Sequence, residues 1–211
     1  MMRLISASPS PYARKVRIAL AEKGLPFVLQ TEVPWDSSTE TPRYNPLEKL
    51  PVLILGDAPA IYESRFILEY LEAKHPSPPL LPDDTDGKLM ARQVEVLCDG
   101  ICDACVLIFW ERRRAPEHQS PEWVARQMRK VNGGLEAIAR IADSREWVVG
   151  DRFGLADIAV GTVLGYLSVR FTELPWRTCH PNLAALSDRL EQRASFRASV
   201  PYPQTITDKV V

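Results

Sequence analysis

A chain of 211 residues with 45% apolar and 25% charged side chains has enough apolar material for a substantial core, as one large domain or two small ones. Its formal net charge of −1 gives no global field that would draw it to nucleic acid or an anionic membrane, so a small molecule or another protein is the expected partner. The N-terminus has only a very short apolar stretch before its prolines, no run approaches the roughly 18 apolar residues of a membrane span, and four cysteines at 98, 102, 105 and 179 make no disulfide framework, so a cytoplasmic protein is expected.

Met2 to Ala7 reads as a strand, and after S-P-S-P the segment Tyr12 to Lys23 carries Val16, Ala19 and Leu20 at helical spacing until Gly24 ends it. Further strands are expected at Phe27 to Val33, Pro51 to Leu55 and Ala60 to Tyr62, the last two joined across a G-D-A-P turn. Ser64 to Lys74 is a helix with Phe66, Ile67, Tyr70 and Leu71 as its apolar stripe. The stretch H-P-S-P-P-L-L-P-D-D-T-D, His75 to Asp86, has four prolines and no periodicity, as a linker would. Beyond it residues 88–113, 121–142, 154–171 and 181–192 all read as helices. The pattern is therefore an α/β unit followed by an all-helical one.

Ser10 before Pro11 is the order of a helix N-cap with proline at the first helical position. The unpaired N–H groups and positive dipole end there favour an anion. A thiol of ordinary pKa near 8.5 must lose about two units to ionise at neutral pH, roughly 2.7 kcal/mol. One hydroxyl hydrogen bond to a charged acceptor contributes about 1.5–3 kcal/mol of that. On spacing alone, a plain N-cap is the simpler role for Ser10.

Four stretches then match one family in order. S-P-Y-x-x-K-V-R-I-A-L-A-E-K-G (Ser10 to Gly24) resembles the first turn and helix of Ser-type glutathione S-transferases. N-P-L-E-K-L-P-V-L (Asn45 to Leu53) resembles their site for the glutathione backbone, and I-Y-E-S (Ile61 to Ser64) their γ-glutamyl site. V-V-G-D-R-F-G-L-A-D-I-A (Val148 to Ala159) is similar to the opening of a central helix in their all-α domain.

The resemblance implies a thioredoxin-like glutathione-binding domain over residues 1–75, a linker at 76–86 and an all-helical domain at 87–211. It implies a cis peptide before Pro51, with the Leu50 backbone holding the cysteinyl part of glutathione, although an ordinary trans proline would also suit a strand start. Glu63 and Ser64 would take the γ-glutamyl group, and Lys49 would face the glycyl carboxylate or stand in solvent. Ser10 would stabilise the thiolate, with Ser8 as the alternative hydroxyl. Tyr12, Trp110, Arg113 and Tyr166 are the expected co-substrate pocket, each also readable as packing or surface. No metal is expected. Where the family usually has Ser or Thr three residues before the Asp of the central helix, Gly154 precedes Asp157, a structural position.

Two signals point elsewhere. Cys98, Cys102 and Cys105 have the C-x3-C-x2-C spacing of a cluster loop, but they sit in an apolar helix whose rise sets the first and last about 10 Å apart. Buried cysteines on a helix face are the better reading. Arg112 to Arg114 are the one basic run, placed at a helix end where the dipole favours them.

The implied activity is conjugation of the glutathione thiolate to a small apolar electrophile by a homodimer. Isomerase, peroxidase and dehalogenase reactions would use the same site. A thiol–disulfide reductase would need a cysteine near position 10, and the first is Cys98. The rival of another class is a non-catalytic interaction protein on the same fold, which would have no need of these glutathione contacts.

Overall fold

In the computed structural model, which describes residues 1–211, the four short apolar runs pair into one mixed sheet in the order β2-β1-β3-β4. These strands are β1 (Met2–Ser6), β2 (Phe27–Thr31), β3 (Val52–Leu55) and β4 (Ile61–Tyr62). β1 runs parallel to β2 through the crossover helix α1 (Pro11–Glu22), and antiparallel to β3, which is antiparallel to β4. Alternation along β3 sends Val52 and Ile54 to one face, where they pack with Ile5, Tyr44, Ala60 and Tyr62, and Leu53 with its partner Leu4 to the other; Leu4, Ile5, Val52 and Leu53 are fully buried. β3 starts at Val52 and not at Pro51 because proline has no N–H for the ladder.

Helix α2 (Ser64–Lys74) matches its expected span residue for residue. The chain leaves it under the control of one buried cation. Lys23 Nζ donates to the carbonyls of His75 and Pro78, both at 2.8 Å, and pairs with Glu72 Oε1 at 2.6 Å. Glu72 also accepts the Leu80 N–H at 3.2 Å, so four contacts tie the proline-rich segment back to α1 and α2.

By its internal contacts the chain divides into two units, Met1–Leu80 with Gln192–Val210, and Leu81–Glu191 with Val211. The division falls inside the expected linker, and the last stretch of chain belongs with the sheet. Its short helix α8 (Ala194–Arg197) is held on α1: buried Arg14 donates to the Phe196 carbonyl at 3.3 Å and lies over the Phe196 ring, Arg193 pairs with Glu22 at 2.7 Å, and the Ser195 hydroxyl donates to Glu22.

The second unit is helical: α3 (Thr85–Glu111), α4 (Pro121–Ala142), α5 (Leu155–Arg170), α6 (Trp176–Cys179) and α7 (Pro181–Leu190). α3 begins three residues before the expected 88 because Asp84 caps it, accepting the Gly87 N–H at 2.7 Å. The four-residue helices α6 and α8 are too short to show a periodicity in sequence and were not anticipated. α5 is buried at every position from Leu155 to Leu167, as a mainly apolar helix at the centre of a bundle must be, with Asp157 and Thr162 its buried polar residues.

Asp157 anchors the start of α5. Its carboxylate accepts the N–H of Val148 and of Gly154, each at 2.9 Å, while Gly154 has no side chain to complete a reciprocal cap. Burial pushes this carboxyl up to about 6, against the opposing pull of those backbone N–H groups and of Arg189. The Gly133–Gly134 pair decides how α4 meets α3. A Cβ on Gly134 would lie 2.5 Å from Cγ1 and 2.7 Å from Cδ1 of buried Ile101, whereas one on Gly133 would meet nothing within 4 Å.

Two outcomes are expected. Gly133→Ala stabilises by about 0.5–1 kcal/mol through helix propensity, and Gly134→Ala destabilises by about 1–3 kcal/mol through overpacking, as denaturant unfolding will show. For Asp157 the folded value of about 6 lies above the ordinary 3.8, so the folded chain holds this proton more tightly and its share of stability falls as pH rises between them. That share is about 3 kcal/mol, it is flat above pH 6, and Asp157→Asn removes the slope from the unfolding free energy measured against pH.

Candidate functional site

Three breaks in regular structure meet at one end of the sheet. Val52 pairs with Ile5 on one side and Tyr62 on the other, so the end of β1, the start of β3 and the end of β4 are adjacent. The segments leaving those points carry Ser8 and Ser10, Lys49 to Pro51, and Glu63 with Ser64. The sheet therefore gathers the residues singled out in this unit, with Tyr12 half-buried on the first turn of α1.

Ser10 is the N-cap of α1, with φ −67° and ψ 117°, and its Oγ accepts the Ala13 N–H at 3.2 Å. A hydroxyl acting as a cap still keeps its hydrogen to donate, so capping and donation to an anion are compatible. Ser10 is partly exposed, while Ser8 is buried.

The peptide before Pro51 is cis. Ahead of it the backbone is arranged by Asn45, a buried side chain whose Oδ1 accepts the Leu47 N–H at 3.0 Å and whose Nδ2 donates to the Lys49 carbonyl at 2.6 Å. That clamp fixes the approach to Leu50 and leaves the Lys49 side chain exposed. Asn45 lies inside the N-P-L-E-K-L-P-V-L stretch, where Asn-Pro is a turn signal, but the long reach of its side chain to Lys49 has no signature in the sequence.

Glu63 caps α2 in a conformation that side chains rarely take, φ 72° and ψ 119°, and its carboxylate accepts the Arg65 N–H at 3.2 Å. Ser64 follows as the first helical residue. It is fully buried, and its hydroxyl has no hydrogen-bond partner. A buried polar group left unpaired costs about 1–3 kcal/mol, so a helix N-terminus carrying such a hydroxyl suits an anionic ligand group.

Gln204, from the far end of the sequence, is a residue that no local signal marked. Its Oε1 accepts the Ser8 N–H at 2.9 Å and its Nε2 donates to the Glu32 carbonyl at 3.3 Å, which ties the loop leading to Ser10 to the end of β2. The same stretch is held at Asp36, which accepts from the N–H and hydroxyl of Thr207, both at 2.9 Å.

The remaining expected residues lie in the helical unit. Tyr166 is buried on α5, and Trp110 is half-buried at the end of α3 with its ring edge-on to Phe109. Arg113 is exposed and lies over both of those rings. Cys98, Cys102 and Cys105 are buried along α3, and burial pushes the Cys105 thiol up to about 12, far from any thiolate chemistry. No group of three or more His, Cys, Asp or Glu side chains is arranged to hold a metal ion, and no helix is long and apolar enough to cross a membrane.

Comparison with known proteins gives a consistent picture. The family described as glutathione S-transferase, N-terminal domain, matches residues 9–74, and glutathione S-transferase, C-terminal domain, matches residues 121–189. A glutathione S-transferase from Methylobacterium radiotolerans JCM 2831, crystallised with glutathione sulfonate, is 69% identical, superposes with a TM-score of 0.98 and covers 100% of this chain and 99% of its own. The uncharacterized GST-like protein YibF of Escherichia coli (strain K12) is 33% identical across 95% of this chain and 98% of its own. The maleylacetoacetate isomerase of Pseudomonas aeruginosa is 30% identical across 98% and 99%.

Gln204→Ala releases the Ser8 N–H. Its hydrogen exchange by NMR is expected to quicken about five- to tenfold, the worth of one hydrogen bond, while the Leu4 amide in β1 keeps its protection.

Proposed function

The chain belongs to the glutathione S-transferase family, and on that premise we propose that it is a glutathione-dependent transferase joining the glutathione thiolate to a small electrophile. The observation that carries this reading is the buried, partnerless hydroxyl of Ser64 beside the strained Glu63, a place built for an acceptor that the chain itself does not provide. The γ-glutamyl carboxylate of glutathione has the charge and size for it. Glutathione sulfonate bound to the relative of 69% identity supports the same ligand.

In this reading the Ser64 hydroxyl and the N-terminus of α2 donate to the γ-glutamyl carboxylate, and the Glu63 carboxylate receives its ammonium group. The Leu50 amide and carbonyl pair with the cysteinyl backbone, and Lys49 meets the glycyl carboxylate. The thiol then lies near Ser10. Its proton leaves to solvent, and the Ser10 hydrogen is donated to the sulfur anion. The thiolate attacks an electrophilic carbon, forming a carbon–sulfur bond as a leaving group departs or as the pair shifts onto an acceptor atom. Binding energy and proximity supply the remaining acceleration. Tyr12 in the first unit, and Trp110, Arg113 and Tyr166 in the helical one, are the side chains proposed to receive the co-substrate. Exposed Leu89, Met90 and Val96 on α3 support association into a homodimer.

A glutathione-dependent isomerase is the second reading, favoured by the likeness to a maleylacetoacetate isomerase over nearly the whole of both chains. It needs the same thiolate but returns it after the double bond has rotated. A stoichiometric loss of glutathione distinguishes conjugation from isomerisation.

Calorimetric titration tests the site. Ser64→Ala is expected to raise the stability of the ligand-free protein by about 1 kcal/mol, by removing an unsatisfied group, and yet to weaken glutathione about tenfold. Ser10→Ala loses an N-cap, about 1 kcal/mol of stability, and raises the pKa of the bound thiol by one to two units, so proton release on binding at pH 7 falls and kcat/KM drops about 10- to 100-fold. Absence of millimolar or tighter binding by the wild type would overturn the proposal and favour an interaction protein.

A further inference from the structure

The C-terminal ends of α3 and α5 bring two unpaired cations onto one aromatic ring. The guanidinium carbon of Arg113 lies 5.2 Å from the centre of the Phe109 ring and 5.8 Å from that of Trp110, and the guanidinium carbon of Arg170 lies 4.6 Å from the Phe109 ring. The two rings meet edge to face at 5.2 Å. Nearby carboxylates are engaged elsewhere: Glu173 holds Arg112 at 2.7 Å, and Glu111 accepts the Ser120 N–H at 2.7 Å and faces Arg114 at 3.9 Å.

Neither Arg113 nor Arg170 has a carboxylate within ion-pair distance. Arg170 is half-buried, and burial lowers its affinity for its proton, against the opposing effect of Tyr166 and with a smaller contribution from the charge of Arg113. Each helix C-terminus contributes roughly half a negative charge, so the two ends offset about one of the two cationic charges. About one positive charge is left uncompensated beside the two rings.

We propose that Arg113, Arg170 and the Phe109–Trp110 pair form a binding site for a small organic acid, whose single carboxylate joins the two guanidiniums and whose apolar body packs beside the rings. A guanidinium lying over a ring keeps its N–H edge for an acceptor, and that edge matches a carboxylate in a two-point contact that Lys cannot make. The half-buried rings add apolar contact area beside the charged pair. One residual charge suits a monoanion. As the co-substrate site this assignment deepens the proposed transferase and rests on it, while the binding of the acid does not depend on glutathione.

The test is calorimetric titration of the full chain with 4-nitrobenzoate and with its neutral counterpart 4-nitrobenzamide. Expected is saturable binding of the acid at low-millimolar concentration or better, with the amide at least tenfold weaker. Arg113→Met and Arg170→Met each weaken the acid at least fivefold without changing the amide, and Arg→Lys at either position recovers only part of the loss. Equal affinity for acid and amide, no binding of the acid, or variants that bind it as the wild type does would overturn the proposal. Should the Met variants fail to fold, the acid–amide comparison in the wild type and the Lys variants decides. Glutathione titrated into the same wild-type protein separates the two readings: acid bound without glutathione overturns the transferase and leaves this site standing, and glutathione bound without acid overturns this site alone.

Discussion

The register of Val52 is the constraint from which the candidate site follows. Because this residue pairs with Ile5 on one side and Tyr62 on the other, the end of β1, the start of β3 and the end of β4 have no choice but to lie side by side. A slip of one residue would exchange Val52 and Ile54 with Leu53 between the two packed faces and move every one of those breaks. The parallel partner contributes at the same end, since Ser6 pairs with Thr31 and its carbonyl accepts the Glu32 N–H at 2.8 Å. Core packing and site assembly are thus one requirement, met by a single strand alignment.

Within that frame, the state of each buried polar group separates structure from function. Lys23 uses its three donors on His75, Pro78 and Glu72, and both Asp157 oxygens take a backbone N–H; these groups are satisfied, and they hold the chain. Ser64 is as deeply buried, but its hydroxyl is left without a partner. Ser10 stands between these cases, with an acceptor lone pair used for the cap and a hydrogen that the cap does not need. The same residue type at the same kind of helix end can therefore be read in opposite ways, and the hydrogen-bond tally decides which applies.

Local chemistry made much of this legible in the sequence. Ser-Pro announced α1, and the apolar stripe of α2 gave its bounds, because both are set by neighbours a few residues away. The start of α3 was missed although Asp84 is an ordinary N-cap, since the surrounding prolines dominate the pattern there. What no pattern could carry is the long-range contact: Gln204 meets Ser8 across nearly the whole chain, Arg14 meets Phe196, and Lys23 meets a carbonyl beyond α2. The pairing of Arg113 with Arg170 belongs to the same class, since it depends on two helices ending at the same ring.

The cost of this helix start is itself informative. An unpaired buried hydroxyl at Ser64 and a positive φ at Glu63 are each worth about 1–3 kcal/mol against the folded state, a sizeable part of the 5–15 kcal/mol by which domains are usually stable. Neither burden is explained by packing, since Ala at 64 and Gly at 63 would relieve both. A ligand that satisfies Ser64 recovers the first burden directly and stabilises the folded chain by mass action in addition. Three of the chain's own thiols, Cys98, Cys102 and Cys105, are buried in α3, and burial pushes that of Cys105 up to about 12. In the proposed transferase, a thiol brought in by a ligand anchored at Ser64 gives a use to both the strained helix start and the hydrogen of Ser10.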